Sequence, residues 1–355
     1  MTKIFGLKTE KTCGERAILA AKAISIIYPN MRIDRDENYL YIPLKRKPQK
    51  NEMKKLGAAL PKFEIVQREF AERVAFQPKL VDLLSGKLPP HLLASLPQAI
   101  DFVGDIAVVE IPPELENYKA AVGEAVLKAH KRLSTVLAKS GAVGGEFRVR
   151  EFEPIAGVAK TSTVHREYGC VFYVDLAKAY FSPRLSYEHN RVASLVREDE
   201  TVLDMFTGVG PFAIHIAKKR QKVHVYAVDK NPEAVRLLKK NITVNRVETK
   251  ITPILGDAGQ IVAERLRGSS NRVIMNLPEK AIEYVDSACQ AIKPSSGILH
   301  YYEFTSEAEP IRAVQERLES ALKQSRRKLD EILSSKIVRG TAPHTWQVVV
   351  DARIK

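Results

Sequence analysis

From about residue 190 onward, short apolar runs alternate with stretches of helical periodicity, and no other feature narrows the fold as far. The runs are Thr201–Phe206, Val223–Val228, Ile251–Leu255, Arg272–Met275 and Gly297–Tyr302, with helical segments such as Pro232–Asn241 between them. Repeated strand–helix–strand units require a mostly parallel sheet covered on both faces, because each parallel return needs a long crossover that packs on the sheet. The end of the chain departs from this pattern. Lys336–Arg339 and His344–Ile354 read as strands separated by little more than Gly340-Thr341-Ala342-Pro343. Strands joined that tightly run antiparallel.

The first run leads into Asp204-Met205-Phe206-Thr207-Gly208-Val209-Gly210-Pro211-Phe212, which opens a helix. Glycines at a strand-to-helix turn allow a tight bend and a close approach of ligand to backbone. Asp229 ends the second run 19 residues after Gly210, where a carboxylate can accept hydrogen bonds from ribose hydroxyls. Gly208-x-Gly210-x-x-Ala213 also satisfies the loose dinucleotide pattern. Three features favour S-adenosyl-L-methionine instead. Asp204 precedes the glycines, where it can meet the ammonium of a methionine moiety. Pro211 removes an amide from the turn that a pyrophosphate would face. Gly256-Asp257 ends the third run, where an acidic side chain can read an adenine amino group. With the terminal hairpin, these features make the expected fold class α/β: a Rossmann-like class I methyltransferase domain behind two smaller α/β modules. Its expected cofactor residues are Asp204, Phe206, Gly208, Gly210, Asp229, Asp257, Asn276 and Pro278.

The upstream chain divides by its character. Residues 1–70 form a small module with a helix through Ala17–Ile24, a strand at Tyr39–Ile42 and an apolar run at Phe63–Val66. This module carries 15 Lys and Arg against 8 Asp and Glu, half of the chain's net excess of +14. The stretch Lys45-Arg46-Lys47-Pro48-Gln49-Lys50, continued by Lys54-Lys55, is the footprint of a polyanion binder. Residues 71–98 hold four prolines and read as a connector with a short helix near Leu80–Leu84. Residues 99–188 form a second α/β module, with a strand at Ile106–Ile111, a helix over Tyr118–Leu137, a glycine-rich approach at Gly141–Gly145, and strands at Phe147–Glu153 and Cys170–Val174. The catalytic domain is then 189–355. Cys13, Cys170 and Cys289 are odd in number and far apart, which argues against a disulfide framework or a zinc site. No metal is expected. No apolar run reaches membrane-spanning length, and no secretory leader is visible, so the expected setting is the cytoplasm.

The fourth run ends in Asn276-Leu277-Pro278-Glu279. Ligands of open α/β sheets sit outside the strand C-termini, so Asn276 belongs where a methyl acceptor would lie. Amino-methylating enzymes that carry Asn/Asp-Pro-Pro-aromatic here stack a base on the aromatic; Glu279 takes that place in this chain. At this point the sequence resembles the archaeal and eukaryotic enzymes that methylate N1 of guanosine 37 in tRNA. The resemblance runs through Asn38-Tyr39-Leu40-Tyr41-Ile42-Pro43, Val103-Gly104-Asp105-Ile106-Ala107, Gly145-Glu146-Phe147-Arg148-Val149-Arg150-Glu151, His165-Arg166-Glu167, Tyr180-Phe181-Ser182-Pro183-Arg184-Leu185, the Asp204–Phe212 turn, Asp229-Lys230-Asn231-Pro232 and Asn276-Leu277-Pro278. Thr207 stands where a small residue such as Ala is expected, and Tyr168 where Asn or Phe is expected.

What the resemblance implies goes beyond the residue pattern. Arg148 matches the arginine that holds guanine O6, Glu188 the general base, Asn276 the residue that positions the base edge, and Tyr180 an aromatic near cofactor and base. The chemistry suits these types. Guanine N1 is a poor nucleophile while protonated; a carboxylate can take the proton, and an arginine at O6 stabilises the charge that develops there. The implied partner is tRNA, with the target base splayed into the pocket and the basic module gripping shape and phosphates elsewhere. The protein is expected to act as a monomer. Three other readings stand beside this one: aminocarboxypropyl transfer from the same cofactor, further methylation of a wyosine intermediate, and a non-catalytic RNA-binding protein.

Overall fold

The computed structural model describes residues 2–72, 78–144 and 149–355. The chain forms two compact units, Met1–Pro78 and Lys79–Lys355. The first contains β1 (Thr2–Glu10), α1 (Gly14–Ala23), β2 (Asp34–Arg35), β3 (Tyr39–Pro43), α2 (Lys50–Ala59) and β4 (Phe63–Phe70). Its antiparallel sheet has the order β2-β3-β1-β4. Leu7 and Ile42 point from the sheet onto Ala17 and Ala21 of α1 and Leu56 of α2, and all are fully buried. The polar side of α2 leaves Lys50, Lys54 and Lys55 exposed. Arg46 is tied bidentately to Glu52, at 2.8 Å from each oxygen, so the patch's free cations are mainly lysines.

The second unit opens with α3 (Leu80–Leu84), β5 (Ile100–Val103), β6 (Ile106–Val109), α4 (Lys119–Ala129), β7 (Thr135–Gly144), β8 (Val149–Gly157), β9 (Ser162–Glu167) and β10 (Cys170–Asp175). β5-β6-β7-β8 form one sheet, parallel only between β6 and β7, and β9–β10 is a hairpin. The helix expected over Tyr118–Leu137 is therefore corrected: it ends at Ala129, and Thr135–Leu137 is strand. The β-branched Thr135 and Val136 lie opposite Ile106 and Ala107, whose backbone ladder outweighs the apolar continuity that suggested a longer helix. The glycine-rich approach is, as far as Gly144, the end of β7. Phe147, and with it the start of the strand expected there, lies outside the described residues.

The remaining elements are α5 (Ser186–Leu195), β11 (Glu200–Asp204), α6 (Pro211–Lys219), β12 (Val223–Asp229), α7 (Pro232–Asn245), β13 (Ile251–Leu255), α8 (Ala258–Ile261), β14 (Arg272–Met275), α9 (Val285–Ala291), β15 (Gly297–Thr305), α10 (Pro310–Gln324), β16 (Leu329–Ala342) and β17 (Thr345–Ile354). They build a seven-stranded sheet in the order β13-β12-β11-β14-β15-β17-β16. The first five strands are mutually parallel, and β17 is antiparallel to both of its neighbours. This is the Rossmann-like methyltransferase arrangement with its terminal hairpin. Alternation along the strands builds two cores. Val202, Ile274, Tyr302 and Val349 face α5, α6 and α7, while Leu203, Val273, Tyr301 and Val350 face α9 and α10. The first core also holds Val103, Ile106 and Leu137, so the earlier β-sheet packs on the same apolar face.

Candidate active site

The site is assembled at the C-terminal ends of β11, β12, β13 and β14. Asp204 ends β11 and is wholly buried. Neither of its carboxylate oxygens finds a hydrogen-bonding partner among the described residues. Burial pushes its carboxyl up to about 7; the Thr207 hydroxyl and the Phe206 N–H, near it but outside good hydrogen-bonding geometry, oppose the rise, and the nearby Asp229 charge adds to it. The turn that follows has Gly208 at φ +55° and Gly210 at φ +94°. A Cβ on Gly210 would stand 2.4 Å from Leu238 Cδ1, so glycine there answers both backbone and packing. Pro211 takes the first position of α6, as its missing N–H permits. Asp229 braces the turn: Oδ2 accepts from Gly208 N at 2.7 Å and Oδ1 from Asn231 N at 2.9 Å. Asp257 caps α8 through Gly259 N and Gln260 N, and accepts from Tyr284 O–H at 3.1 Å.

A cavity of about 410 Å³ opens onto these residues, within the range of small-molecule sites. Tyr180, Phe206, Gly208, Asp229, Asp257 and Asn276 all line it. Asp204, Gly210 and Pro278 are not in its wall. Asp204 lies beneath the turn, Gly210 sets the turn's shape, and Pro278 accepts at its carbonyl from Phe304 N at 3.1 Å. A second cavity, about 260 Å³, shares Tyr180 and Glu279 with the first. Its wall carries Lys139, Arg150, Arg184 and Arg339 beside Phe152 and Phe181. The first chamber is the richer in carboxylates, with Lys230 and Lys280 also in its wall, and the second the richer in cations, with Asp101 and Glu279 beside them. A ligand with an organic cation and hydroxyls suits the first; an anionic or oxo-rich aromatic ligand suits the second.

Glu188 is 2% exposed and lines neither cavity. Its carboxylate accepts from Arg191 Nε at 2.9 Å and Tyr302 O–H at 2.8 Å, and pairs with Lys336 Nζ at 2.8 Å. Burial alone would raise its pKa; Arg191 above all, then Lys336 and Tyr302, outweigh that and hold it below the usual carboxylate range. Arg191 passes the network on to Asp351 and His300. Arg272 donates to His300 Nε2 at 2.7 Å, so that nitrogen is the acceptor and His300 is neutral with its proton on Nδ1. Beside this network, Glu167 at the end of β9 draws His189 Nδ1 (2.8 Å) and His215 Nε2 (3.0 Å) onto one oxygen. These three residues are close enough to share an ion. The carboxylate is held ionised by its imidazoles against the cost of burial, and its bonds to both rings join α5 and α6 to β9. Arg148 lies outside the described residues.

Three further residues, not among those expected, also shape the site. Tyr284 meets Phe206 edge-on at 5.0 Å and reaches the site from the turn before α9. Asn231 caps α7 and donates to Lys178 O at 2.7 Å; its place in Asp229-Lys230-Asn231-Pro232 marks a helix start, which was the available clue. Gln347 donates to Asn276 Oδ1 at 3.2 Å across 71 positions of chain, a contact that no local pattern announces.

Comparison with known proteins accords with this geometry. Residues 163–330 match the TRM5/TYW2 methyltransferase domain, 80–161 the TYW2 N-terminal domain and 6–52 the tRNA methyltransferase 5 N-terminal domain. The chain is 38% identical over 91% of its length, and 91% of the relative's, to tRNA (guanine(37)-N(1))-methyltransferase Trm5b of Pyrococcus abyssi. It is 35% identical over 98% of both chains to the protein of that name from Methanocaldococcus jannaschii. Among solved structures, Trm5b from Pyrococcus abyssi superposes with a TM-score of 0.72 at 34% identity, covering 99% of each chain. A complex of aTrm5 and tRNALeu gives 0.69 at 34%, covering 99% of this chain and 100% of that one. TYW2 of M. jannaschii with AdoMet gives 0.56 at 28%, covering 72% of this chain and 99% of that one. The chain belongs to the TRM5/TYW2 methyltransferase family.

Proposed function

We propose that the protein transfers a methyl group from S-adenosylmethionine to N1 of guanosine 37 in tRNA. The observation that carries this reading is the pair of adjoining cavities with Tyr180 and Glu279 in their common wall. The residues of the first fit the cofactor on its own chemistry. Asp204 is a buried carboxylate without a partner, suited to the methionine ammonium, and Asp229 and Asp257 present carboxylates suited to ribose hydroxyls and the adenine amino group. S-adenosylmethionine, when bound, supplies an already activated methyl group. The protein's own part is then to orient and to move one proton. Tyr180, in the common wall, and Asn276, in the wall of the first cavity, are assigned to hold the guanine edge. Glu188 is assigned the N1 proton; because it is buried, lines neither cavity and is paired with Arg191 and Lys336, it reaches the base only if that pairing opens when tRNA binds. A carboxylate held below its usual range is a weaker base, so the abstraction depends on stabilising the charge that appears on O6, and Arg148 is assigned that task. The cationic wall of the second cavity suits the phosphates on either side of a splayed nucleotide.

The match to the tRNA methyltransferase 5 N-terminal domain at 6–52 favours methyl transfer over aminocarboxypropyl transfer. A relative with the latter activity in its name, from M. jannaschii, is 33% identical but aligns with 71% of this chain. The basic first module is taken to grip tRNA away from the chemistry. We read the protein as a monomer, since one chain carries both cavities. We place it in the cytosol: its three cysteines are free and buried, and among the described residues no helix is long and apolar enough to cross a membrane. The test is to treat tRNA carrying G37 with enzyme and cofactor and to weigh the released nucleosides. Methylated guanosine at position 37 is expected. A gain of the aminocarboxypropyl mass would move the reading to the other activity, and unmodified tRNA would overturn both.

A further inference from the structure

Asn276 is held by a chain of hydrogen bonds whose direction is set by a group two side chains away. Arg339 donates Nε–H to Gln347 Oε1 at 2.8 Å, and a guanidinium cannot accept. Gln347 therefore turns its carbonyl to Arg339 and its amide nitrogen to the other side, where Nε2–H donates to Asn276 Oδ1 at 3.2 Å. Asn276 in turn has its carbonyl engaged, and its NH₂ makes no hydrogen bond among the described residues. Asn276 lines the first cavity, so the group it has to offer a ligand there is a donor. Arg339 is itself fixed, with Nη1 on Ser182 Oγ at 2.9 Å and Nη2 on Tyr180 O–H at 3.1 Å. It faces Gln347 directly across the β16–β17 hairpin, between two bulges of β16. Gln347 is 1% exposed, so water cannot replace either of its partners. A buried amide with both ends committed does not flip without leaving a polar group unsatisfied.

We infer that Gln347 and Arg339 are positioning residues that set the orientation of Asn276. They make the site select a base edge that presents a hydrogen-bond acceptor, such as the oxygen or ring nitrogen of a 6-oxopurine, over one that presents an amine. The inference rests on the proposed methylation of guanosine 37 and adds the terminal hairpin as a determinant of which base is accepted. It separates two substitutions that a merely structural role would rank the other way. Gln347→Glu has nearly the same shape, but both of its ends accept; Asn276 must then donate to it and turn its carbonyl to the cavity. Gln347→Met removes both polar ends and leaves Asn276 free to take either orientation.

The experiment is single-turnover methylation of a G37 tRNA transcript, with cofactor affinity measured alongside. The expected order of rates is wild type, then Gln347→Met, then Gln347→Glu, with a loss of about tenfold for Met and more for Glu, since a misdirected polar group is penalised more than an absent one. Cofactor affinity should fall by less than the rate does, because Asn276 is only one of the residues lining that cavity and the others are unaltered. Gln347→Glu as active as wild type, or more active than Gln347→Met, overturns the inference. Should Gln347→Glu fail to fold, Arg339→Gln at saturating tRNA keeps the inference open to refutation: a neutral amide that can accept releases the flip of Gln347, and an unchanged rate overturns the inference. A wild-type protein that leaves G37 unmodified overturns the underlying reading and this inference with it, whereas an active wild type with indifferent variants overturns the inference alone.

Discussion

Asp204 is the residue whose state most depends on what occupies the site. Its carboxyl is raised to about 7 by burial, against about 4 in an unfolded chain. Between those values the folded protein without cofactor holds a proton that the unfolded chain has lost. The stability from this group is thus fully present below about pH 4 and is lost as pH rises through about 7. A cofactor ammonium beside it favours the charged form and reverses that preference. Calorimetry at pH 6 in buffers of different ionisation enthalpy should show roughly one proton released per cofactor bound; a heat independent of buffer would count against the ammonium contact. Asp204→Asn should weaken cofactor binding about 10- to 100-fold and abolish the proton release. Glu188 has the opposite character, since its neighbours hold it down. Glu188→Gln should lower turnover by about 10²-fold or more with little loss of tRNA affinity. Lys336→Met removes one stabilising cation, so the acid limb of the rate profile should move to higher pH; a limb that stays in place would separate Lys336 from the base. The acidic strand ends were legible as lining because ligands of open α/β sheets sit outside the strand C-termini; that Asp229 also braces the glycine turn and Asp257 caps α8 was not. Arg191, Lys336 and Gln347 were not, because their meaning lies in cross-strand register and in partners far along the chain.

At the scale of elements, periodicity revealed the parallel strands and the terminal hairpin, and the glycine turn showed where a helix must start. It failed at Thr135–Leu137, where pairing with β6 decided the structure, and it passed over the edge of β10. That edge is closed by side chains instead of a strand. Asn241 and Asn245 of α7 each bond a backbone N–H and C=O of β10, Asn241 at Tyr173 and Asn245 at Val171. The turn between β9 and β10 carries Tyr168 at φ +44° and Gly169 at φ +78°, a left-handed pair that asparagine enters more easily than tyrosine. Tyr168→Asn should therefore raise stability by about 0.5–1 kcal/mol in thermal or denaturant unfolding. A drop would mean that the edge-on contact of Tyr168 with His215 outweighs the backbone strain.

In the molecule as a whole, half of the net charge lies in the first module, which carries neither cavity. Lys54 and Lys55 are exposed in the first unit, while both cavities belong to the second. Reversing both lysines to glutamate should weaken tRNA binding and lower the slope of log affinity against log salt by about 1–2. Turnover at saturating tRNA should not change. An unchanged salt slope would remove this face from the tRNA interface. The identity of the acceptor atom is tested by labelled cofactor incubated with transcripts that carry G, inosine or A at position 37. Guanosine and inosine both keep a proton on N1 and an oxygen at C6, so both should take up label; adenosine has neither and should take up none. Label in the A37 transcript comparable to that in G37, or no label in any of the three, would contradict the account.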